Sequence, residues 1–220
     1  DRCIAARLNE TADGMNKSLE AHRYHEAAQL IWHFFWDDFC DWYLEIKKLR
    51  FADNSGLNQD WRSLLSTFEA GLRLLHPIMP FLTEELSHRL DASKSISLKA
   101  YPKFDAALAD DAAVREMSVM QEIIVAARNI RAERKIDRKV MLNASLRTDV
   151  SVDQAIIEKI AGVAIVADVP GGVKRSTADF DLAIELPKES DEQVTAQRTK
   201  LQKEAEQLEK VIGSSERQLG

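Results

Sequence analysis

The segment from Ile31 to Glu45 places side chains that chemistry often uses within fifteen positions. It reads IWHFFWDDFCDWYLE, so four carboxylates, one histidine and one cysteine stand among aromatic residues. Carboxylates in an apolar setting suit general acid and base catalysis, because burial and like-charge neighbours move their pKa values apart. His33, Asp37 and Asp41 recur every four positions, which would align them on one helical face as metal ligands. The segment therefore raises three possibilities: acid and base catalysis, a metal site, and a thiol nucleophile at Cys40.

Each of these chemistries lacks a necessary partner. A di-metal site in a helical bundle needs two Glu-x-x-His pairs and further carboxylates, and the sequence offers only the pair Glu85 and His88. Cys40 lies between Phe39 and Asp41, where acidic neighbours raise a thiol pKa, so we expect a buried structural cysteine. The acids of the segment share one helix with no concave site in view, and we expect them to face solvent or to hold bundle partners. We predict no catalytic residue and no metal ligand.

Long helices are predicted to carry this segment. Apolar residues recur every three or four positions over residues 2–22, 26–51, 60–76 and 81–90. The core stripe predicted for the second helix consists of Ile31, Phe35, Phe39, Trp42, Ile46 and Leu49. The stripe predicted for the third helix consists of Trp61, Leu64, Leu65, Phe68, Leu72 and Leu75. Because the connections are short, residues 1–90 are predicted to form an up-and-down four-helix bundle.

The pattern changes three times after the bundle. Residues 91–111 are predicted to be a connector with a short strand at 96–98. Residues 112–187 are predicted to combine a long helix over 112–137 with a small α/β unit, whose strands lie near 140–147, 164–169, 173–175 and 180–186 and whose helix over 152–161 ends at Gly162. Residues 188–220 show heptad spacing, typical of the first helix of a coiled coil, here truncated before its partner helix. The predicted fold class is mainly α.

Charge is unevenly distributed along the chain. The net charge of -6 argues against a protein that coats nucleic acid through bulk electrostatics. Residues 128–139 nevertheless carry six basic and two acidic side chains, so this window is strongly positive on an acidic body. Such a stripe suits a partner of defined shape. Cys3 and Cys40 form no metal or disulfide pattern, and no segment is apolar enough to span a bilayer, so we expect a cytoplasmic protein without a membrane partner.

Two motifs of the bundle resemble a known family. The run WDDFCDWYLE, Trp36 to Glu45, and the run LHPIMPFLTEEL, Leu75 to Leu86, resemble the anticodon-binding domain of class I aminoacyl-tRNA synthetases. The second motif is shared by the leucine, isoleucine and valine families, whereas the first resembles the valyl-tRNA synthetase family specifically. The opening stretch with Arg2, Ile4, Arg7 and Leu8 is similar to the first bundle helix of the family. Residues 190–212 are similar to the start of its C-terminal coiled-coil arm.

The resemblance implies a fragment that binds tRNA(Val) through its anticodon stem-loop. It implies that the parent protein is an ATP-dependent ligase, with catalytic and editing domains upstream in the same polypeptide. ATP and Mg would belong to that missing catalytic domain, and the HIGH and KMSKS signatures are absent from this sequence. We therefore expect no cofactor in the fragment, no aminoacylation by the fragment alone, and a monomeric parent.

The candidate RNA contacts are basic residues, with one aromatic among them. In the bundle they are Arg2, Arg7, Lys47, Lys48, Arg50 and Phe51, and on the long helix they are Arg128, Arg131, Lys135 and Arg138, which would share one helical face. Anticodon recognition needs aromatic or guanidinium planes for unstacked bases and cations for phosphates. Equally, lysines at helix ends can be plain solvated residues, and cations at a helix C-terminus favour the macrodipole.

Two further hypotheses remain open on the sequence. The first is a stand-alone helical interaction protein that dimerises through the 190–212 helix and binds no RNA. The second is a metal-dependent bundle enzyme.

Overall fold

The computed structural model describes residues 1–52, 57–91 and 94–187, the side chains of residues 57 and 58 excepted. The predicted coiled-coil helix, and with it the dimerisation hypothesis, lies outside these residues. The helices are α1 (Arg2–Glu20), α2 (Tyr24–His33), a π-helical segment (Phe34–Leu44), α3 (Glu45–Ala52), α4 (Leu57–Leu75), α5 (Pro80–Leu90), α6 (Asp111–Glu133) and α7 (Gln154–Ala161). The strands are β1 (Leu142–Thr148), β2 (Val163–Ile165), β3 (Val173–Ser176) and β4 (Phe180–Ile184). The fold class is mainly α, as predicted.

The predicted second helix is continuous, but its middle is π-helical. Hydrogen bonds to the fifth residue widen the turn, so inward positions recur at larger spacing than in an α-helix. The buried side chains are accordingly Ile31, Phe34, Phe39, Tyr43 and Lys47. The α-helical stripe predicted from the sequence was therefore wrong in detail, since Phe35, Trp42, Ile46 and Leu49 are only half-buried.

The third and fourth helices meet at the HPIMP corner. Pro80 begins α5, where its missing N–H is harmless. The His76 ring lies 2.7 Å from the Thr83 hydroxyl and 2.9 Å from that of Ser97, so it joins α4, α5 and the connector. The motif thus has a structural task, which is to hold three segments at one corner.

Two local predictions for this part were wrong. The expected strand at 96–98 is a 3₁₀ helix from Ile96 to Leu98, because the Ser95 hydroxyl accepts from the Ser97 N–H and starts a tight turn. Trp61 and Leu65 were predicted to be core residues of α4, yet both are exposed. Leu64 and Leu72 are buried as predicted, and Leu74 is buried as well.

The α/β unit packs against α6. Its sheet has the order β2-β1-β4-β3, with β1 and β2 parallel and the other pairs antiparallel. α7 connects β1 to β2 and ends at Gly162, whose φ of 67° is the left-handed conformation that glycine adopts most easily. Half-buried Trp42 and Ile46 of the bundle pack against the core of this unit. The bundle and the α/β unit are therefore joined by apolar contacts.

Candidate nucleic-acid interface

Lys47, one of the predicted RNA contacts, is buried inside the bundle. Its side chain is 2% exposed, and its Nζ contacts Asp60 Oδ1 and lies 2.7 Å from Asp1 Oδ1. The same ammonium lies 5.4 Å from the ring centre of Tyr43. The hydrogen bond from Lys47 lowers the pKa of Asp60 from its ordinary value, with burial acting in the opposite direction. Lys47 has no surface left for a phosphate, so we exclude it from the interface.

Arg2 and Arg7 on α1 both hold carboxylates. Arg2 donates from Nε and Nη2 to the two carboxylate oxygens of Asp110, at 2.7 and 2.9 Å, and thereby joins α1 to the residue that caps α6. This hydrogen bonding lowers the pKa of Asp110. Arg7 Nη1 lies 3.3 Å from Glu10, and its Nε lies 3.9 Å from Asp38. Both guanidinium groups therefore have a structural partner, although Arg2 remains largely exposed.

A cavity of about 320 Å³ opens between α1, the π-helical segment, α6 and the start of α7. It brings together four of the predicted contacts, Arg2, Arg7, Lys47 and Arg50. Carboxylates line it as well, among them Asp38, Glu116 and Asp153, and its apolar wall includes Trp42, Met117 and Met120. Because its charges are balanced, the cavity suits a neutral planar group such as a nucleobase better than a phosphate.

An aromatic pair with cations beside it lies where α3 ends and α4 begins. Phe51 and Trp61 stack with their ring centres 4.6 Å apart and their planes 15° from parallel, and Trp61 is 44% exposed. Arg50 precedes Phe51, remains about half exposed, and lies 3.9 Å from Asp60, which compensates it only at a distance. Lys48 is exposed and pairs with Glu45 at 2.5 Å. We name Phe51 and Trp61 the aromatic pair. Trp61 is partly exposed and Arg50 is a neighbouring cation, a combination on which unstacked bases can bind.

The predicted basic stripe on α6 is not one helical face. The helix ends at Glu133, four residues before the predicted end, so Lys135 and Arg138 lie beyond it. Lys135 adopts a φ of 53°, which turns the chain away from the helix axis. Arg128 is exposed on α6, and its Nη2 lies 3.5 Å from the carbonyl of Ile160. The prediction failed because neither glycine nor proline marks this helix end.

Arg131, also predicted to bind RNA, is turned inward. Its guanidinium donates to the carbonyls of Asp137 at 3.0 Å and Val140 at 2.5 Å, and to that of Gly162. Burial lowers the pKa of Arg131 from its ordinary value, and Asp137 opposes this shift. Only 6% of the residue is exposed, so it cannot contact a phosphate directly. Instead it fixes the segment that follows α6.

Some exposed residues were missed by the sequence reasoning. Trp61 was assigned to the core by its spacing alone, whereas its position between Asp60 and Arg62 was a polar signal. Arg134 and Lys139 were counted in the positive window but left out because they lay off the assumed face. Trp32 and Trp36 are exposed and stack with parallel rings 5.3 Å apart. That second pair adjoins acidic residues, which disfavours nucleic acid there.

The acidic segment that suggested catalysis forms no cleft of its own. The His33 ring lies 2.7 Å from Asp37, and burial raises the pKa of Asp38 while Arg7 opposes this. Cys40 is exposed, not buried as predicted, because Phe39 takes the inward position beside it. Burial and then Asp41 raise the pKa of its thiol. Within the described ranges, no three potential ligands gather as a metal site. Across the same ranges, no helix has the length and apolarity to cross a membrane.

Comparison with known proteins agrees with this architecture. The family model described as "Anticodon-binding domain of tRNA ligase" matches residues 1–146. The chain is similar to the valine–tRNA ligase of Solibacter usitatus, 44% identical over 100% of this chain and 26% of the relative. It is also similar to that of Thermotoga maritima, 33% identical over 98% of this chain and 26% of the relative. The chain thus spans about a quarter of the length of these curated relatives. The chain belongs to the family of anticodon-binding domains of tRNA ligases.

Proposed function

We propose that the chain is the tRNA-binding C-terminal part of a valine–tRNA ligase and recognises the anticodon stem-loop of tRNA(Val). The observation that carries this proposal is the family match over residues 1–146, which spans the bundle, α6 and the start of β1. Relatives that cover the whole chain at 44% and 30% identity carry the name valine–tRNA ligase.

The proposed anticodon surface is the end of the bundle around the aromatic pair. Arg50 connects this pair to the cavity, because it precedes Phe51 and also lines the cavity wall. One unstacked base would lie on the exposed face of Trp61, and the cavity would receive a second base through its balanced polar groups. Lys48 and Arg50 would neutralise neighbouring phosphates. Arg2 and Arg7 would contact the RNA from the cavity wall.

The rest of the ligase reaction belongs to other parts of the proposed parent. ATP and Mg would bind in an upstream catalytic domain, and hydrolysis of misacylated tRNA would take place in an editing domain. The chain described here would hold the tRNA while these domains act at the far end of the same molecule. The parent would be a monomer in the cytoplasm. The fragment alone would attach no valine.

Filter binding with the 220-residue chain tests the proposal. We expect salt-dependent binding of tRNA(Val) transcript, and binding at least about tenfold weaker when the same transcript carries a substituted anticodon. The two transcripts differ only in the anticodon, so unequal affinity locates recognition there. A folded sample that shows no salt-dependent binding at micromolar concentration would contradict the proposal. Equal affinity for both transcripts would contradict anticodon recognition.

A variant of the aromatic pair locates the surface. Trp61→Ala should weaken binding of tRNA(Val) by about 5-fold to 150-fold, because a stacked base contributes about 1 to 3 kcal/mol. Trp36→Ala is the matched control, since Trp36 is also exposed and stacked, but on an acidic helix. Equal loss in both variants would argue against the aromatic pair as the contact.

A further inference from the structure

The end of α6 has an unusual residue at a position that normally holds glycine. The N–H of Lys135 bonds the carbonyl of Ala132 at 3.1 Å, and that of Ile136 bonds the carbonyl of Arg131 at 3.0 Å. This pair of bonds is the Schellman motif, which places Lys135 at the left-handed position. Its φ of 53° is costly for a residue with a Cβ. His22 at the end of α1 has the same conformation, so the strain alone does not assign a function to Lys135.

Buried Arg131 fixes the segment that follows. We name residues 134–139 the basic loop. Arg131 donates to the carbonyl of Asp137 within the loop, to that of Val140 directly after it, and to that of Gly162 at the end of α7. A Cβ at position 162 would come 3.0 Å from the Arg131 guanidinium, so glycine gives this side chain its space. Arg131 therefore ties the loop, at Asp137, and the residue after the loop to the end of α7.

The basic loop presents four exposed cations, namely Arg134, Lys135, Arg138 and Lys139. In the described part of the chain, no carboxylate lies within ion-pair distance of any of them. The two nearest acids in sequence are already engaged. Glu133 binds Arg175 at 2.6 Å, and the carboxylate of Asp137 accepts from the Lys139 N–H at 2.8 Å.

Exposed cations without a carboxylate in ion-pair distance also occur singly elsewhere in the described chain, namely at Arg62, Lys94, Lys103, Arg128, Arg147 and Lys174. The basic loop differs because it holds four such cations within six residues. Other exposed cations are paired. Lys17, Arg23, Arg89 and Arg115 each lie within 3.1 Å of a carboxylate. A favourable interaction with the α6 macrodipole would explain Arg134, but that effect falls off within one turn. Arg138 and Lys139 lie beyond that reach, five and six residues after the helix ends. The accumulated charge thus lacks a compensating partner inside the described fold.

We propose that the basic loop binds the phosphate backbone of the tRNA, and that Arg131 is the positioning residue that holds the loop in its binding conformation. This inference rests on the proposed function, because it assumes that the chain binds tRNA. Phosphates are singly charged and regularly spaced, so four cations on one short segment match them. The contact would be independent of base sequence, in contrast to the proposed contact at the aromatic pair.

The test compares two variants with the same change in net charge. The loop variant carries Arg134→Gln, Lys135→Gln, Arg138→Gln and Lys139→Gln. The control variant carries Lys17→Gln, Arg23→Gln, Arg89→Gln and Arg115→Gln, all at exposed cations that already have carboxylate partners. Filter binding of tRNA(Val) transcript is measured for both, and for the unchanged chain, at several salt concentrations.

The slope of log affinity against log salt reports how many phosphates are neutralised. We expect the loop variant to lose about 2 to 3 units of this slope and to bind at least about tenfold more weakly at low salt. The control variant should keep a slope close to that of the unchanged chain. The anticodon preference should survive in the loop variant, because the loop contacts phosphates only.

Two results would contradict the proposal, and they distinguish failure of the loop contact from failure of the proposed function. If the unchanged chain binds tRNA(Val) but the loop and control variants share one slope, the loop makes no specific phosphate contact. If the unchanged chain binds no tRNA at any salt concentration, the proposed function fails and the loop proposal fails with it.

Discussion

Lys47 in the bundle and Arg131 beside the α/β unit are both basic residues that the fold buries, but their charges are compensated differently. Lys47 meets two carboxylates, those of Asp60 and Asp1. Arg131 donates to three backbone carbonyls, and no carboxylate of the described residues lies within ion-pair distance of it. The positive charge of Lys47 is therefore neutralised by carboxylates. The positive charge of Arg131 is only solvated by carbonyl dipoles and is not neutralised.

This difference bears on where an anionic partner would bind. In the bundle, the buried charge of Lys47 is neutralised by two carboxylates, and the bundle end exposes Trp61 together with Arg50. Next to α7, the charge of Arg131 adds to that of four exposed cations on the basic loop. The bundle end therefore suits bases, and the basic loop suits phosphates. Substitutions at Lys47 and at Arg131 should therefore differ in their effects on the free energy of unfolding and on tRNA(Val) affinity.

The largest effect should come from breaking the ion pair of the bundle. Asp60→Ala leaves Lys47 buried with Asp1 alone, and we expect the free energy of unfolding to fall by about 3 kcal/mol. Urea denaturation checks this value. Binding of tRNA(Val) by the folded variant should fall much less than in Trp61→Ala, because Asp60 is buried and does not line the cavity. The double variant Lys47→Met with Asp60→Leu is the control, and it should regain most of the lost stability. A double variant as unstable as Asp60→Ala would show that the charges themselves are needed.

A substitution of Arg131 should lower both the free energy of unfolding and the affinity for tRNA(Val). Arg131→Met leaves three carbonyls without their donor, and we expect a loss of about 2 kcal/mol in the free energy of unfolding. All four cations of the basic loop remain, yet tRNA(Val) should bind more weakly, because their arrangement is no longer fixed. Urea denaturation and filter binding on the same preparation measure the two effects. Binding equal to that of the unchanged chain, in a sample shown to be folded, would remove the positioning role.

Acid should affect the bundle through Asp60. The pKa of Asp60 is lowered in the folded state by Lys47, so its contribution to stability is complete above the unfolded value of about 3.9 and is lost as the pH falls through the lower folded value. Urea denaturation at pH 6 and at pH 3 should therefore show a smaller decrease in stability for Asp60→Asn than for the unchanged chain. Equal decreases in the two proteins would mean that other carboxylates dominate acid unfolding.

Periodicity in the sequence predicted the order of the elements well. Regular apolar spacing located α1, α4 and α5, and Gly162 correctly marked the end of α7. The π-helical segment could not be predicted, because its inward residues depend on hydrogen bonds to the fifth residue and not on composition. A pattern with α-helical spacing therefore selected Phe35 and Trp42 where the fold buries Phe34 and Tyr43.

The candidate site was predicted less well, for a related reason. The sequence does not show whether a carboxylate or a carbonyl will contact a given basic side chain in the folded protein. Asp60 meets Lys47 from another helix, and the carbonyl of Gly162 meets Arg131 across 31 positions. Both contacts are made by tertiary packing. The bundle motifs, in contrast, identified the family, because they are local runs of residues.

The smallest predicted effect on stability concerns the backbone at the ends of two helices. α1 ends in the same motif as α6, with His22 at the left-handed position and a φ of 59°. Replacing either residue by glycine relieves the strain, so His22→Gly and Lys135→Gly should each raise the free energy of unfolding by up to about 1 kcal/mol. For a chain of this length the midpoint temperature would rise by ~3 °C.

The midpoint temperature and the tRNA(Val) affinity of Lys135→Gly show whether the basic loop keeps its charge for phosphates, and His22→Gly is the matched control. We expect Lys135→Gly to be more stable than the unchanged chain and to bind tRNA(Val) more weakly, whereas His22→Gly should be more stable with unchanged affinity. If Lys135→Gly gains stability and keeps full affinity at low salt, the strained lysine does not serve RNA binding, and the claim that the basic loop holds its charge for phosphates is contradicted.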